Sequence, residues 1–287
     1  MNFLIIGDIE KAGYLNSLSS LKLSDYTFII LTGDMSGSPE GWKIGKARGM
    51  EDRSFIPPGK NPKEYYQELL EPSVEKLKEV DENLGKLGIK VFAVYGNTDF
   101  KSIVARAKPK NFEIIHNKIV EVNGFYLVGY NGHPMYPWEM KEPLKKDIFG
   151  YTHEETSKEL NSFREEDVYK DLKTLTENHP SNRVITVTHT PPYKILDKVK
   201  LELVKWAVKS YGETAEDGNV GSTGLRKFIL EYKPLMSIFG HIHEAKGTDK
   251  IDDTHCINAG NFDKEKELVE ITLLDSKLNI EFKKLNP

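Results

Sequence analysis

Short apolar runs rich in Ile, Val, Phe and Tyr recur along the chain, and each stops at a small polar cluster. Asn2–Ile6 runs into Gly7-Asp8-Ile9-Glu10, Tyr26–Leu31 into Thr32-Gly33-Asp34, and Ile89–Tyr95 into Gly96-Asn97-Thr98-Asp99. Val184–Thr188 meets His189-Thr190-Pro191-Pro192, and Leu235–Phe239 meets Gly240-His241-Ile242-His243. Runs this short and this β-branched predict strands rather than helices. Phe112–Val122, Phe125–Tyr130, His255–Asn258, Leu268–Leu274 and Ile280–Phe282 predict further strands, with hairpin turns at Asn123-Gly124 and Asp275-Ser276. Between them, Pro62–Leu87 carries apolar residues at a period near that of a helix, from Tyr66 to Leu84. Glu155–Asn178 and Leu201–Tyr211 read the same way, and Ser222 caps a helix that ends before Pro234. Strands outnumber what a simple βα alternation needs, so the pattern predicts mixed sheets with helices outside.

Residues 1–287 read as a single domain with three insertions, Ser36–Asn61, Met135–Tyr151 and Tyr193–Gly221. Loops this long in a compact domain point to a site. Composition narrows the class: 38% hydrophobic and 29% charged residues are ordinary for a globular protein and argue against disorder. No apolar run approaches the roughly 20 residues that a bilayer requires, so no membrane partner is expected. Cys256 is the only cysteine, which excludes an internal disulfide and makes a reducing cytoplasm the default. A net charge of −4 gives no long-range pull towards nucleic acid, and duplex binding is not expected.

The chemistry lies at the strand ends, where α/β sheets collect ligands. Asp8, Glu10, Asp34, Asn97, His189, His241 and His243 all sit there and offer only oxygen or imidazole donors. Such a set suits two adjacent divalent ions of the Mn, Fe, Zn or Ni type and matches a closed structural zinc site poorly. Two ions about 3.5–4 Å apart can hold a bridging hydroxide and grip a phosphoryl oxygen. His241 and His243, two apart on one strand, would point to the same face. Taken singly, each Asp or His reads more simply as a turn, cap or loop residue. The weight rests on all of them recurring in order.

In that order the clusters resemble the calcineurin-like metallophosphoesterase superfamily, with its D-x-H, G-D, G-N-x-[D/E], lone His and G-H-x-H pattern. Asn258-Ala259-Gly260-Asn261 is similar to the N-x-G turn that follows in that family. The resemblance implies two packed mixed β-sheets flanked by helices, a four-layer αββα sandwich. It implies one metal held by Asp8, residue 10, Asp34 and His243. A second would be held by Asp34, Asn97, His189 and His241, with Asp34 bridging. The implied activity is phosphoester hydrolysis by a hydroxide bridging the two ions, with Asn97 and His189 neutralising developing charge.

Two positions depart from the family pattern. Glu10 stands where His is usual. As a ligand it would lower the charge of the site and tilt the metal towards Mn, Mg or Fe over Zn; turned away, it would leave a weak first site. Thr98 stands where many members carry the His that protonates the leaving oxygen, and a Thr hydroxyl does not ionise near neutral pH. That favours substrates with good leaving groups or a proton donor from elsewhere, with His133 the candidate, and it puts the role of Asp99 in question. The expected function is therefore a metal-dependent phosphodiesterase acting on a small or nucleotide-like phosphoester, with Mn or Fe the expected ions. A phosphomonoesterase of a small metabolite or phosphoprotein is one alternative, and a scaffold with a weakened metal site is the other.

Overall fold

The computed structural model describes residues 1–9, 11–37, 62–99, 101–131, 165–200, 217–262, 266–274 and 277–285. The predicted helix at Leu201–Tyr211, the insertion at Met135–Tyr151 and the turn residues Asp275-Ser276 lie outside them, as does most of Ser36–Asn61. Two six-stranded mixed sheets face each other. The first contains β1 (Asn2–Ile6), β2 (Phe28–Leu31), β3 (Lys90–Ala93), β4 (Glu113–Ile114), β11 (Glu267–Leu274) and β12 (Lys277–Lys284), in the order β12-β11-β1-β2-β3-β4. The second contains β5 (Lys118–Val122), β6 (Phe125–Tyr130), β7 (Val184–Thr188), β8 (Met236–Phe239), β9 (Gly247–Ile251) and β10 (Thr254–Asn258), in the order β5-β6-β7-β8-β10-β9.

The alternation of side chains along each strand builds three cores. Phe3, Ile5, Phe28, Ile30, Phe92 and Val94 point from the first sheet towards Leu127, Ile185, Val187, Ile238 and Ile257 of the second. Phe3 stacks on Phe28 with ring centroids 4.7 Å apart. The intervening residues Leu4, Ile6, Ile29 and Leu31 face outward onto helix α1 (Pro62–Gly85), which buries Leu70, Val74, Leu77, Val80 and Leu84 at helical spacing. A 3₁₀ stretch at Ala12–Ser20 completes that layer. After β3, helix α2 (Lys101–Ala107) contributes the buried Ile103 to the same core. On the far side, Val128, Tyr130, Phe239 and Cys256 meet helices α3 (Glu165–Thr176) and α4 (Thr223–Tyr232) through Leu172, Leu225, Phe228 and Ile229. Ser222 caps α4 as expected, its Oγ accepting the Leu225 N–H at 3.0 Å. The result is the αββα sandwich.

Among the strands, the structure differs from the sequence pattern in two places. Phe112–Val122 is two strands in two different sheets, not one. The chain crosses over at Ile115–Asn117, where Ile115 N donates to Ala93 O of the first sheet and Asn117 N donates to Gly129 O of the second. Asn117, at φ 53°, makes the bend within the polar His116-Asn117-Lys118 triplet that separates the two strands. β9 was not predicted; its Gly-Thr-Asp-Lys-Ile sequence is mostly solvent-facing, and pairing with β10 alone defines it. The Asn123-Gly124 hairpin is as expected, with φ values of 50° and 78° and Val122 opposite Phe125.

Candidate metal centre

Parallel neighbours bring the clusters together. β1, β2 and β3 are adjacent and parallel, with Ile6 opposite Leu31 and Leu31 opposite Ala93, so Asp8, Asp34 and Asn97 leave the same edge of the first sheet. β7 and β8 are parallel neighbours in the second sheet and deliver His189 and the Gly240–His243 segment to the same edge. The two edges meet where His189 Nδ1 lies 2.8 Å from the carbonyl oxygen of Thr32. A carbonyl can only accept, so Nδ1 carries a proton and Nε2 is the nitrogen that faces the site. That Nε2 faces Asn97 Oδ1 at 2.9 Å and Asp34 Oδ2 at 3.6 Å. Ligand atoms of Asp34, His189 and His241 all lie within 4.8 Å of one another. The His189 and His241 rings are 4.8 Å apart between centroids. Beside them, His243 Nε2 is 2.6 Å from Asp8 Oδ2, and His241 N donates to Asp8 Oδ1 at 3.4 Å.

The histidine pair is not on a strand, contrary to the simple reading of its i, i+2 spacing. β8 stops at Phe239, His241 takes a left-handed φ of 68°, and His243 opens a short 3₁₀ turn. This turn, and not strand alternation, sends His241 towards Asp34 and His243 towards Asp8. Asp34 is likewise left-handed, at φ 52°. Non-glycine residues held there carry strain that clusters at functional sites.

Electrostatics match the donor set. Burial disfavours a charged His243, but the Asp8 hydrogen bond and the Asp8 and Asp34 charges outweigh it and raise its pKa to about 9. His189 is fully buried, which alone would lower its pKa, yet Asp34, Asp8 and the Thr32 carbonyl raise it. The cluster thus calls for positive charge. Lone-pair donors of nitrogen and oxygen converge on it, with no cysteine among them. Five buried side-chain polar atoms lack a partner among the described residues, and three of them, in Thr32, Thr98 and Thr190, adjoin these clusters. Residues of this kind fit divalent cations.

Asp99, whose role the sequence left in question, is a clamp between strand ends. Its Oδ1 accepts from Met35 N at 3.0 Å, Ser36 N at 2.8 Å and Ser36 Oγ at 2.7 Å, and its Oδ2 from Gly96 N at 2.9 Å. Burial and the Asp34 charge raise its pKa to about 6, against those donors. Thr98 N donates to Asp34 Oδ1 at 2.9 Å and so orients that carboxylate. Asn131 was missed by sequence reasoning. It is buried at the end of β6 and accepts the Tyr95 N–H at 2.9 Å. The signal was present, since Tyr130-Asn131-Gly132-His133 is another apolar run ending in a polar cluster. Glu10 and His133 lie outside the described residues. The structure therefore gathers Asp8, Asp34, Asn97, His189, His241 and His243 at one edge.

This fold and site define a metallophosphoesterase. The family model described as calcineurin-like phosphoesterase matches residues 1–245, and the chain belongs to that family. It is similar to "Uncharacterized protein MJ1162" of Methanocaldococcus jannaschii, at 26% identity over 63% of this chain and 69% of that protein. One solved crystal structure superposes with a TM-score of 0.69 at 18% identity, covering 99% of both chains. A dimetal phosphatase from Danio rerio superposes with a TM-score of 0.50 at 10% identity, over 100% of this chain and 96% of that one. The protein is a metal-dependent phosphoester hydrolase, and its family implies a dinuclear divalent metal site. Among the described residues, no helix is long and apolar enough to cross a membrane.

Proposed function

We propose that the protein is a phosphodiesterase acting on a small or nucleotide-like phosphodiester, with Mn or Fe as its ions. The observation that carries the metal assignment is the convergence of His189 Nε2 with Asn97 Oδ1 at 2.9 Å and Asp34 Oδ2 at 3.6 Å, a position where a cation can replace a proton on Nε2. Asp34, Asn97, His189 and His241 would hold one ion; Asp8, Asp34, His243 and Glu10 the other. When bound, such ions supply Lewis acidity at phosphoryl oxygens and acidify water.

The chain's own residues then do the positioning. The Thr32 carbonyl holds the proton on Nδ1 of His189, so Nε2 is the atom that would ligate the ion in place of a proton. Asn97 directs Oδ1 at His189, which leaves its Nδ2 to donate to an anionic oxygen of the substrate. Thr98 supplies no ionisable proton for the leaving group, which favours diesters and other substrates with good leaving groups. His133 is the proton donor to test. A cytoplasmic location is part of the same reading, supported by a lone cysteine kept as a thiol in the core.

The test is hydrolysis of a bis-aryl phosphodiester and an aryl phosphomonoester side by side, with apo protein titrated with Mn²⁺. The reading expects activation by the ion with the diester preferred, and a slower reaction in His133→Ala that is largest for poor leaving groups. Preference for the monoester overturns the leaving-group argument and favours a phosphomonoesterase. No hydrolysis of either, with no ion bound, would leave a scaffold.

A further inference from the structure

We infer that Asn258 is a positioning residue that locks the Asp8–His243 half of the metal centre, an inference that rests on the metallophosphoesterase reading above. Asn258 ends β10 and has no solvent exposure. Its Nδ2 donates to Leu196 O at 3.0 Å and to Ile242 O at 2.9 Å, and its Oδ1 accepts from Gly260 N at 2.9 Å. Both amide hydrogens are therefore spent on carbonyls. A flipped amide would set its oxygen against both of them, so the network fixes the orientation.

Two of the three partners belong to segments that shape the site, and the third ties them to the loop after β7. Ile242 lies between His241 and His243, and its carbonyl is the handle by which that strained turn is held. Gly260 accepts the Asp8 N–H through its own carbonyl at 3.1 Å, and Phe262 N donates to Asp8 O at 3.0 Å, so the Gly260 turn seats the backbone of Asp8. Leu196 takes a left-handed φ of 50° in a loop where Lys194 is left-handed too, at 59°. That loop is tied down separately by Asp197 Oδ2, which accepts from Lys194 N at 2.9 Å and Gly221 N at 2.8 Å. Asn258 is thus the common point of three strand-end segments, after β7, β8 and β10. Two of them set the Asp8 to His243 separation. No atom of Asn258 is left to reach a substrate or a metal, so it acts only through these backbones. Residues that orient ligands in this way typically change metal affinity about 10- to 100-fold when altered.

The experiment compares Mn²⁺ stoichiometry and affinity, by calorimetry and elemental analysis, in the parent, Asn258→Asp, Asn258→Ser and Thr254→Val. Asn258→Asp keeps size and the Gly260 acceptor but loses both donors. Asn258→Ser loses the reach to both carbonyls without burying a charge and decides the question if the aspartate variant does not fold. Thr254→Val removes a different buried hydrogen bond, to Pro234 O at 2.7 Å, at the far end of the same strand. The expected result is two ions in the parent and in Thr254→Val, with one ion bound about 10- to 100-fold more weakly in the Asn258 variants. Two ions held at parental affinity by an Asn258 variant overturn the inference while leaving the enzyme reading intact. Equal loss in Thr254→Val overturns it as well, because the effect would then follow stability and not position. A parent that binds no Mn²⁺ removes the metal-centre reading and this inference with it.

Discussion

Gly96→Ala should disable the centre without unfolding the protein, and the expected size of the effect can be worked out from the contacts. A Cβ on Gly96 would lie 2.1 Å from Asp34 Oδ1, 2.6 Å from Asp34 N and 2.7 Å from His189 Cε1. Real Cβ contacts essentially never fall below 3.0 Å, so the Asp34 carboxylate must retreat by about 0.9 Å. Rotating the side chain does not suffice, because the Asp34 backbone nitrogen is also too close and the buried His189 ring blocks the other side. A misplacement near 1 Å at a reacting site costs about 100-fold in rate, or about 2.7 kcal/mol of barrier. The accompanying overpacking should take about 1–3 kcal/mol from stability.

Gly88→Ala is the comparison. That glycine, at φ +64°, has open space around its absent Cβ. Alanine there meets only the left-handed backbone penalty of about 1–2 kcal/mol, far from the site. The assay is Mn²⁺-supported hydrolysis of a bis-aryl phosphodiester with parallel urea melts. The account expects similar modest stability losses in both variants and a loss of activity in Gly96→Ala alone. A Gly96→Ala protein with parental kcat/KM and parental metal content would refute the placement of Asp34 and His189 around this glycine.

Three further outcomes follow from buried polar groups. Asp99→Ala orphans the Met35, Ser36 and Gly96 N–H groups, and at about 1–3 kcal/mol for a buried unsatisfied donor it should be among the most destabilising substitutions near the site; a urea midpoint equal to the parent's would contradict this. Burial and the Asp249 charge push the Cys256 thiol up to about 12, so a disulfide reagent at pH 8 should label it only as fast as the protein opens; instant labelling of the native state would show the core misassigned. Burial raises the Asp197 carboxyl above its usual range despite the Gly221 and Lys194 N–H groups. The folded state then keeps that proton when the unfolded chain has lost it, so stability falls as pH rises from about 4 through the raised value. Asp197→Asn, whose Oδ1 can accept both N–H bonds, should lack that decline in urea melts across the same range; an identical pH dependence in parent and variant would refute the assignment.

The layers of the fold were legible because buried strands announce themselves as apolar runs and α1 as a helical period. What was not legible lacked that signal. β9 is a polar edge strand defined by its partner, and at the crossover the polar His116-Asn117-Lys118 triplet marks a break without recording that the chain changes sheets there. The site was legible at Asp8, Asp34, Asn97, His189, His241 and His243 because strand ends place their residues at one edge. The manner of convergence was not, since His241 and Asp34 take left-handed φ among contacts with other strand ends, Asp8 of the opposite sheet and Thr98 after the neighbouring strand. Asp99 reaches Met35 and Ser36, and Asn258 reaches Leu196 and Ile242, backbone groups far enough away in sequence that no local pattern records them.

The most direct test of the central claim is the metal count of the chelator-stripped protein after equilibration with Mn²⁺, read together with phosphodiester hydrolysis. The account predicts two ions per chain, with hydrolysis rising as they bind and both lost in Asp34→Asn. Parental hydrolysis in Asp34→Asn, or hydrolysis by the metal-free parent, would contradict it.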